Sequence, residues 1–393
     1  MKGRPRSHLG PAAAVALVLA APIAVGDLSA QTLRLQGQLS GWFILNAEEP
    51  LTPAGSLRYL PTLTVEKTWP DERTVDVELS VNGYASARGA DWRDIETASD
   101  VKPYRVWARF KTSRFEARAG LQKINFGSAT LLRPLMWFDS VDPRDPLQIT
   151  DGVYAVLLRS YFSSDANLWL WGLYGNDRQK GWETSPTARR NPEFGGRFQV
   201  PVSRGELAFT THHRRADFSR GLLRDPLLDD PVAREGRYAL DGKWDLGIGV
   251  WFEGVLTHQM HPDLARPDQR ALNLGADYTF GVGSGLYILG EYLVVENARS
   301  VFGRGEGVKL AAASLRYPVS LLDSVSGIFY FDSSRDDVYR FVSWQRTYDR
   351  WQFYIMGFWN PRQATGWPGQ PTRDIGQSPL AGRGVQAMVV FNH

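Results

Sequence analysis

From Leu33 to Leu45 the odd positions read Leu33, Leu35, Gly37, Leu39, Gly41, Phe43 and Leu45, while the even positions from Arg34 read Arg34, Gln36, Gln38 and Ser40. Apolar against polar with period two marks a strand with one apolar and one wet face. A second stretch sets Val75, Val77, Leu79, Val81, Gly83 and Ala85 against Thr74, Asp76, Glu78, Ser80, Asn82 and Tyr84. Two charges and a ring on the polar face suit the lining of an aqueous lumen better than a packed core. The alternation returns at Phe115, Ala117, Ala119 and Leu121 opposite Arg114, Glu116, Arg118 and Gln122, then at Ile248–Leu256 and Trp351–Ile355. Glycine and alanine are frequent on the apolar face. Lipid tails can fill the gaps they leave, which would be cavities inside a soluble sandwich.

The connections between these stretches alternate in length. Tight ones are expected at Trp69–Glu72, Lys111–Arg114, Ser163–Asp165, Pro201–Gly205, Asp245–Gly247, Gly281–Gly285, Leu321–Asp323 and Tyr348–Arg350. Longer polar ones are expected at Asn46–Gly55, Gly89–Asp100, Asn125–Asp151, Asn176–Asn191, Asp217–Gly236, His258–Gln269, Asn297–Gly307 and Asn360–Arg383. Short periplasmic turns alternating with long external loops are the rhythm of an outer-membrane barrel. The pattern predicts an all-β, transmembrane, antiparallel up-and-down barrel of about eighteen strands, with sixteen as the alternative and both termini periplasmic. The faces of the segments near Tyr154, Trp169, Leu310 and Tyr339 are ambiguous in this pattern.

Residues 1–30 are set apart from the fold. Lys2, Arg4 and Arg6 precede an apolar core from Ala12 to Val25, and Leu28-Ser29-Ala30 offers small residues for cleavage, so a signal peptide ending at Ala30 is expected and residues 31–393 form the barrel. The core is broken by Pro22 and is short of the roughly 20 residues a spanning helix needs. Removing the leader takes three of 45 basic and one of 42 acidic residues, so the mature net charge is +1 and no global charge points to nucleic acid. There is no cysteine, so neither disulfides nor thiolate metal sites support this exported chain. A closed hydrogen-bonded ring is one alternative source of stability. The 14 Trp, 15 Tyr and 19 Phe fit girdles at two membrane interfaces.

The chain ends on Val385-Gln-Ala-Met-Val-Val-Phe391-Asn-His393, which resembles the carboxy-terminal strand that the barrel-insertion machinery reads, although the aromatic there usually comes last. A further stretch comprises Gly120-Leu-Gln-Lys-Ile-Asn-Phe-Gly127, Leu132-Arg-Pro-Leu135, Phe138-Asp139, Asp142-Pro-Arg-Asp-Pro146 and Thr150-Asp-Gly-Val153. It resembles the strand, long loop and following strand of porin-like proteins, and most nearly those of alginate-export-like porins of Gram-negative bacteria. The resemblance implies an inward-folded loop and a solute pathway, without naming the solute.

Candidate pore-lining residues follow from the register. Arg105, Arg109, Lys111, Arg114 and Arg118 point inward with Asp76, Glu78 and Glu116, leaving a basic excess of two. Pairing across the Thr112-Ser113 turn is expected to set Arg109 opposite Glu116, and Glu78 is expected near Lys111; a salt-bridged wall that only stiffens the barrel is the competing reading. The long third loop, 125–151, carries Arg133, Asp139, Asp142, Arg144 and Asp145 beside Trp137 and Phe138. Long loops of this kind are functional or disordered. Folded inward, its acids would face the basic wall and form a constriction with a transverse field; lying on the outer surface, it would do neither.

Other chemistry is weakly marked. His212 and His213 point to opposite faces of one strand, and His258, His261 and Asp263 sit at a loop edge as a thin metal signal. No Gly-x-Ser-x-Gly elbow is present, so an enzyme is not expected. The expected function is passive diffusion of small polar solutes, anionic ones included, through a water-filled lumen, with no cofactor and no metal. The expected partners are outer-membrane lipid, the insertion machinery and the solutes, and a homo-oligomer is left open. The alternative is a scaffold barrel sheathing a polysaccharide-export or electron-transfer partner.

Overall fold

The computed structural model describes residues 31–48, 51–90, 94–220, 231–362 and 379–393. The expected leader lies outside the described residues, and the first strand begins at Gln31. In chain order the strands are β1 (Gln31–Asn46), β2 (Thr52–Thr68), β3 (Thr74–Ala90), β4 (Asp94–Lys111), β5 (Phe115–Gln122) and β6 (Val153–Tyr161). They continue with β7 (Asn167–Leu173), β8 (Glu193–Val202), β9 (Gly205–Asp217), β10 (Val232–Asp245), β11 (Gly249–Met260) and β12 (Asp268–Phe280). The last are β13 (Leu286–Ala298), β14 (Gly305–Pro318), β15 (Asp323–Asp332), β16 (Asp337–Thr347), β17 (Trp351–Trp359) and β18 (Arg383–Asn392).

Each strand pairs antiparallel with its chain neighbours, and β1 closes the 18-stranded sheet on β18, from Gln38 opposite Asn392 to Asn46 opposite Gly384. Closure satisfies the backbone amides and carbonyls that lipid could not. His393 extends the seam by exchanging two 2.9 Å backbone hydrogen bonds with Gly37, and its ring stacks on Tyr59.

The expected tight turns join the strands at one end. One connection escaped the pattern: Ser333–Asp336 joins β15 to β16 on the loop side, yet is as short as a periplasmic turn. The expected loop at Gly89–Asp100 is instead mostly strand, because β3 and β4 stay paired as far as Ala90 opposite Asp94. Beyond the hydrocarbon both faces of a strand can be polar, so the alternation fades while the ladder continues.

The faces follow the period-two reading. Leu33, Leu35, Leu39, Phe43 and Leu45 are exposed on the outside of β1, while Ser40 and Ile44 are buried inside. Rings gather where outward positions reach the turn end: Trp244 stacks on Phe252 at 6.0 Å and Trp351 meets Phe391 at 4.6 Å. The ambiguous segments have a common cause. Leu157, Trp171, Leu310, Phe341 and Phe358 are buried on the inner face against inward-folded loops, so strands there are apolar on both sides.

Leu39→Arg is expected to destabilise the barrel by about 2–4 kcal/mol, the penalty for a basic group deep in the lipid face. Gln36→Arg, on the inner face and exposed, should change stability by less than about 1 kcal/mol. Urea unfolding in lipid vesicles measures both; equal sensitivity would show the register to be wrong.

Candidate functional site

Loop 3, residues 123–152 between β5 and β6, crosses the lumen to the far wall. Glu291 on β13 accepts hydrogen bonds from the backbone N–H groups of Thr130 (2.6 Å), Leu131 (3.0 Å) and Leu132 (2.6 Å). Glu253 on β11 accepts from Ala129 (2.7 Å) and Leu135 (3.3 Å), and Asn273 on β12 donates to the Leu132 carbonyl at 2.9 Å. A loop has no ladder for its amides, and buried amides must find acceptors. Two carboxylates supply them with charge-assisted bonds. Gly127 makes the approach possible: its φ is +92°, and a Cβ there would lie 2.5 Å from Glu253 Oε1. Ala129, Leu131 and Leu132 then pack against the inner faces of β11 to β17.

The candidate constriction residues are brought together largely with one another. Arg133 donates to both carboxylate oxygens of Asp139 (3.1 and 3.2 Å) and also to Asn125. Arg144 pairs with Asp142 at 2.7 Å, with its guanidinium 5.3 Å over the Phe341 ring of β16. Asp145 accepts from the amides of Leu147 and Ile149, and burial raises its carboxyl above the ordinary range. The expected field between loop acids and basic wall therefore does not form from Asp139, Asp142 or Asp145, whose charges are engaged inside the loop. The loop reaches that wall through Arg105 of β4, which donates to the Thr150 carbonyl at 3.0 Å, and through Asp151, which meets Lys102 at 2.7 Å. Burial pushes the Asp151 carboxyl up, but Lys102 outweighs it and holds the group below its usual value.

The basic wall is built differently from the expected pairing. Arg109 lies opposite Asp76 on β3 and opposite Arg118 on β5, and Lys111 lies opposite Glu116. Arg109 holds Asp76 through Nε (3.0 Å) and Nη2 and reaches Glu116 only diagonally, at 3.6 Å. Glu78 faces Trp107, four residues from the expected Lys111, which lies opposite Thr74. Arg118, unpaired in the sequence reading, contacts Glu116 at 3.0 Å. Arg159 of β6, which that reading missed, contacts the same carboxylate at 3.3 Å, so Glu116 serves three guanidiniums. Trp107 lies 4.7 Å from the Arg118 guanidinium and Trp169 lies 3.8 Å from that of Arg159, which orients both cations. Arg114 is exposed in the turn between β4 and β5, at the periplasmic mouth.

Loop 4, residues 174–192, was expected as a plain external connection and also folds inward. Its Glu183 accepts from Arg214 of β9 (3.1 Å) and Arg237 of β10 (2.8 Å), and Trp182 donates to the Arg133 carbonyl of loop 3 at 3.0 Å. The alternation at Arg214 and Arg237 was a usable signal, since buried inward arginines require acids from somewhere. A cavity of about 20 Å³ beside Trp137, Trp182, Glu183 and Arg237 has room for one water molecule.

The histidines are engaged structurally. Trp171 donates to His212 Nδ1 at 3.2 Å, so the Nε2–H donates to Glu193 at 3.1 Å and the ring is neutral. His213 faces outward. His258 pairs with Asp268 at 2.7 Å, and His261 Nδ1 accepts from the Asp263 amide at 3.2 Å. Among the described residues no group of three metal-ligating side chains comes together.

No protein-family model matches the chain, and no curated protein is found to match it. Solved structures do match. OccAB4 of Acinetobacter baumannii superposes with a TM-score of 0.54 at 8% identity, over 93% of this chain and 98% of that one. OccK7 (OpdD) of Pseudomonas aeruginosa does so with a TM-score of 0.54 at 10% identity, over 92% of this chain and 98% of that one. The chain has the closed fold of outer-membrane porins. The likeness is one of fold, and the chemistry rests on the residues above.

Glu291→Ala would leave three loop amides without their acceptor, a loss of about 3 kcal/mol or more. We expect loop 3 to become open to proteolysis and single-channel conductance to become larger and noisier. Unchanged conductance and protection would show that the loop is held by its apolar contacts alone.

Proposed function

We propose that the protein is an outer-membrane porin that passes small polar solutes by passive diffusion, with a modest preference for anions. The observation that carries this reading is the sharing of Glu116 by Arg109, Arg118 and Arg159, which leaves positive charge on the inner wall below loop 3. Arg105, with carbonyls as its hydrogen-bond partners, adds to it. Loop 3 narrows the lumen, so Arg105, Arg109, Lys111, Arg114, Arg118, Asp76, Glu78 and Glu116 are proposed to line the path. Arg133, Asp139, Asp142, Arg144 and Asp145 are proposed to shape the constriction. Pore width and wall charge then set selectivity, and neither turnover nor a cofactor is needed.

The sheathing alternative is less well supported, because loops 3 and 4 already occupy the space a threaded partner would need. The proposal includes cleavage after Ala30, reading of the last strand by the insertion machinery, kinship with alginate-export-like porins through residues 120–153, and assembly as a homo-oligomer in lipid.

Water in the lumen keeps the effective dielectric high, so each exposed charge contributes about 1 kcal/mol at contact distance. Salt screens it over about 8–10 Å. The double substitution Arg118→Gln and Arg159→Gln leaves Arg109 between Asp76 and Glu116, so the reversal potential in dilute salt should move toward cation selectivity. Glu116→Gln should move it the opposite way. Both shifts should fade in concentrated salt, and a planar-bilayer measurement with no shift in either variant would leave the wall a purely structural feature.

A further inference from the structure

On the outside of the barrel, at the loop ends of β9 and β10, Arg215 and Arg234 lie directly opposite each other in register, and both are exposed. Opposed residues of an antiparallel pair have Cα atoms about 4.5–5.5 Å apart, and like charges there repel. The contrast with the inner face is sharp: Arg214 and Arg237, next in sequence or nearly so, are buried and paired with Glu235 and Glu183. Among the described residues neither Arg215 nor Arg234 has a carboxylate within ion-pair distance.

Their height supplies the second observation. Two residues nearer the membrane centre, outward-facing His213 meets Phe194 of β8 at 5.4 Å and Tyr238 of β10 at 5.7 Å. Below these rings the outward positions turn aliphatic and aromatic, with Phe209, Leu240 and Phe198 exposed. Clusters of rings mark the membrane interface, so two residues further out the guanidiniums stand at headgroup depth.

We propose that Arg215 and Arg234 form a binding site for the phosphate of an anionic lipid in the outer leaflet, with the acyl chains lying over Phe194, Tyr238 and Leu240. Two guanidinium forks on adjacent strands can chelate one phosphate, which removes their mutual repulsion and uses the bidentate geometry this group favours. A solvated pair above the membrane would gain nothing from the rings beneath it. The site is separate from the lumen and does not depend on the transport reading.

The test uses the full mature barrel in a neutral detergent, titrated with phosphatidic acid, with phosphatidylcholine of the same chains, and with inorganic phosphate, each followed by native mass spectrometry and thermal unfolding. Phosphatidic acid should be retained and should raise the unfolding temperature. The R215Q/R234Q variant should bind it about thirtyfold more weakly, each charge contributing about fivefold, whereas R266Q, which removes an arginine paired with Glu306 at 2.7 Å, should not differ from wild type. R215K/R234K keeps both charges and should bind with intermediate strength, and it carries the comparison if the double glutamine variant does not fold. Equal retention of phosphatidic acid by wild type and the double variant would overturn the site. Inorganic phosphate giving the same stabilisation as the lipid would overturn the lipid assignment.

Discussion

A backbone that crosses hydrocarbon as strands has no water to take up its amides and carbonyls, so every strand needs two neighbours and the first must find the last. Here β1 pairs with β18 over nine residue pairs, and His393 carries the seam to the end of the chain. Once the ring is closed, alternate side chains have fixed destinations. Leu39 can only meet lipid and Ser40 can only face inward. The rest of the architecture is a response to that division, including the aromatic girdle, the small residues on the outer face and the charges inside.

A closed ring of this size would enclose a wide space, and the chain fills much of it with its own loops. The filling is done through backbone amides. Glu253 and Glu291 project from the far wall, and the turn of loop 3 from Ala129 to Leu135 offers N–H groups to them. Removing a carboxylate from water is costly, and several short hydrogen bonds to one group offset that cost. Loop 4 is held by a different device, Glu183 between Arg214 and Arg237. Its Gly181, at φ +46°, lies against the Met136 carbonyl of loop 3, so the two loops support each other.

The same accounting explains where charge remains available. In loop 3 Asp139 is matched by Arg133 and Asp142 by Arg144, Asp145 is held by loop amides, and Asp151 reaches across to the wall, where it meets Lys102. On the wall Glu116 is shared among three guanidiniums held over tryptophan rings, one of which is also held by Asp76, and under the proposed function this incomplete pairing would extend positive potential into the lumen. The wall is a salt-bridged support, and in the proposed function the same ion pairs would also set selectivity, so the two readings that the sequence set against each other are compatible.

Strand faces, the short turns and the barrel class were legible in the sequence because they depend on neighbours one to four residues apart. Leu33 to Leu45 states its two faces without reference to any other part of the chain. The inward arginines of β4 and β5 were legible for the same reason, while their partners were off by one pairing step, since a two-residue change of register keeps every face and alters every contact. The docking of loop 3 was readable as a length and a composition, but not as a destination. Glu253 and Glu291 lie more than a hundred residues from the amides they hold, and each looks in sequence like any inward polar residue. Arg159 and Glu183 were missed on the same ground, because a charge declares its side of the sheet locally and its partner only once the ring has closed around it.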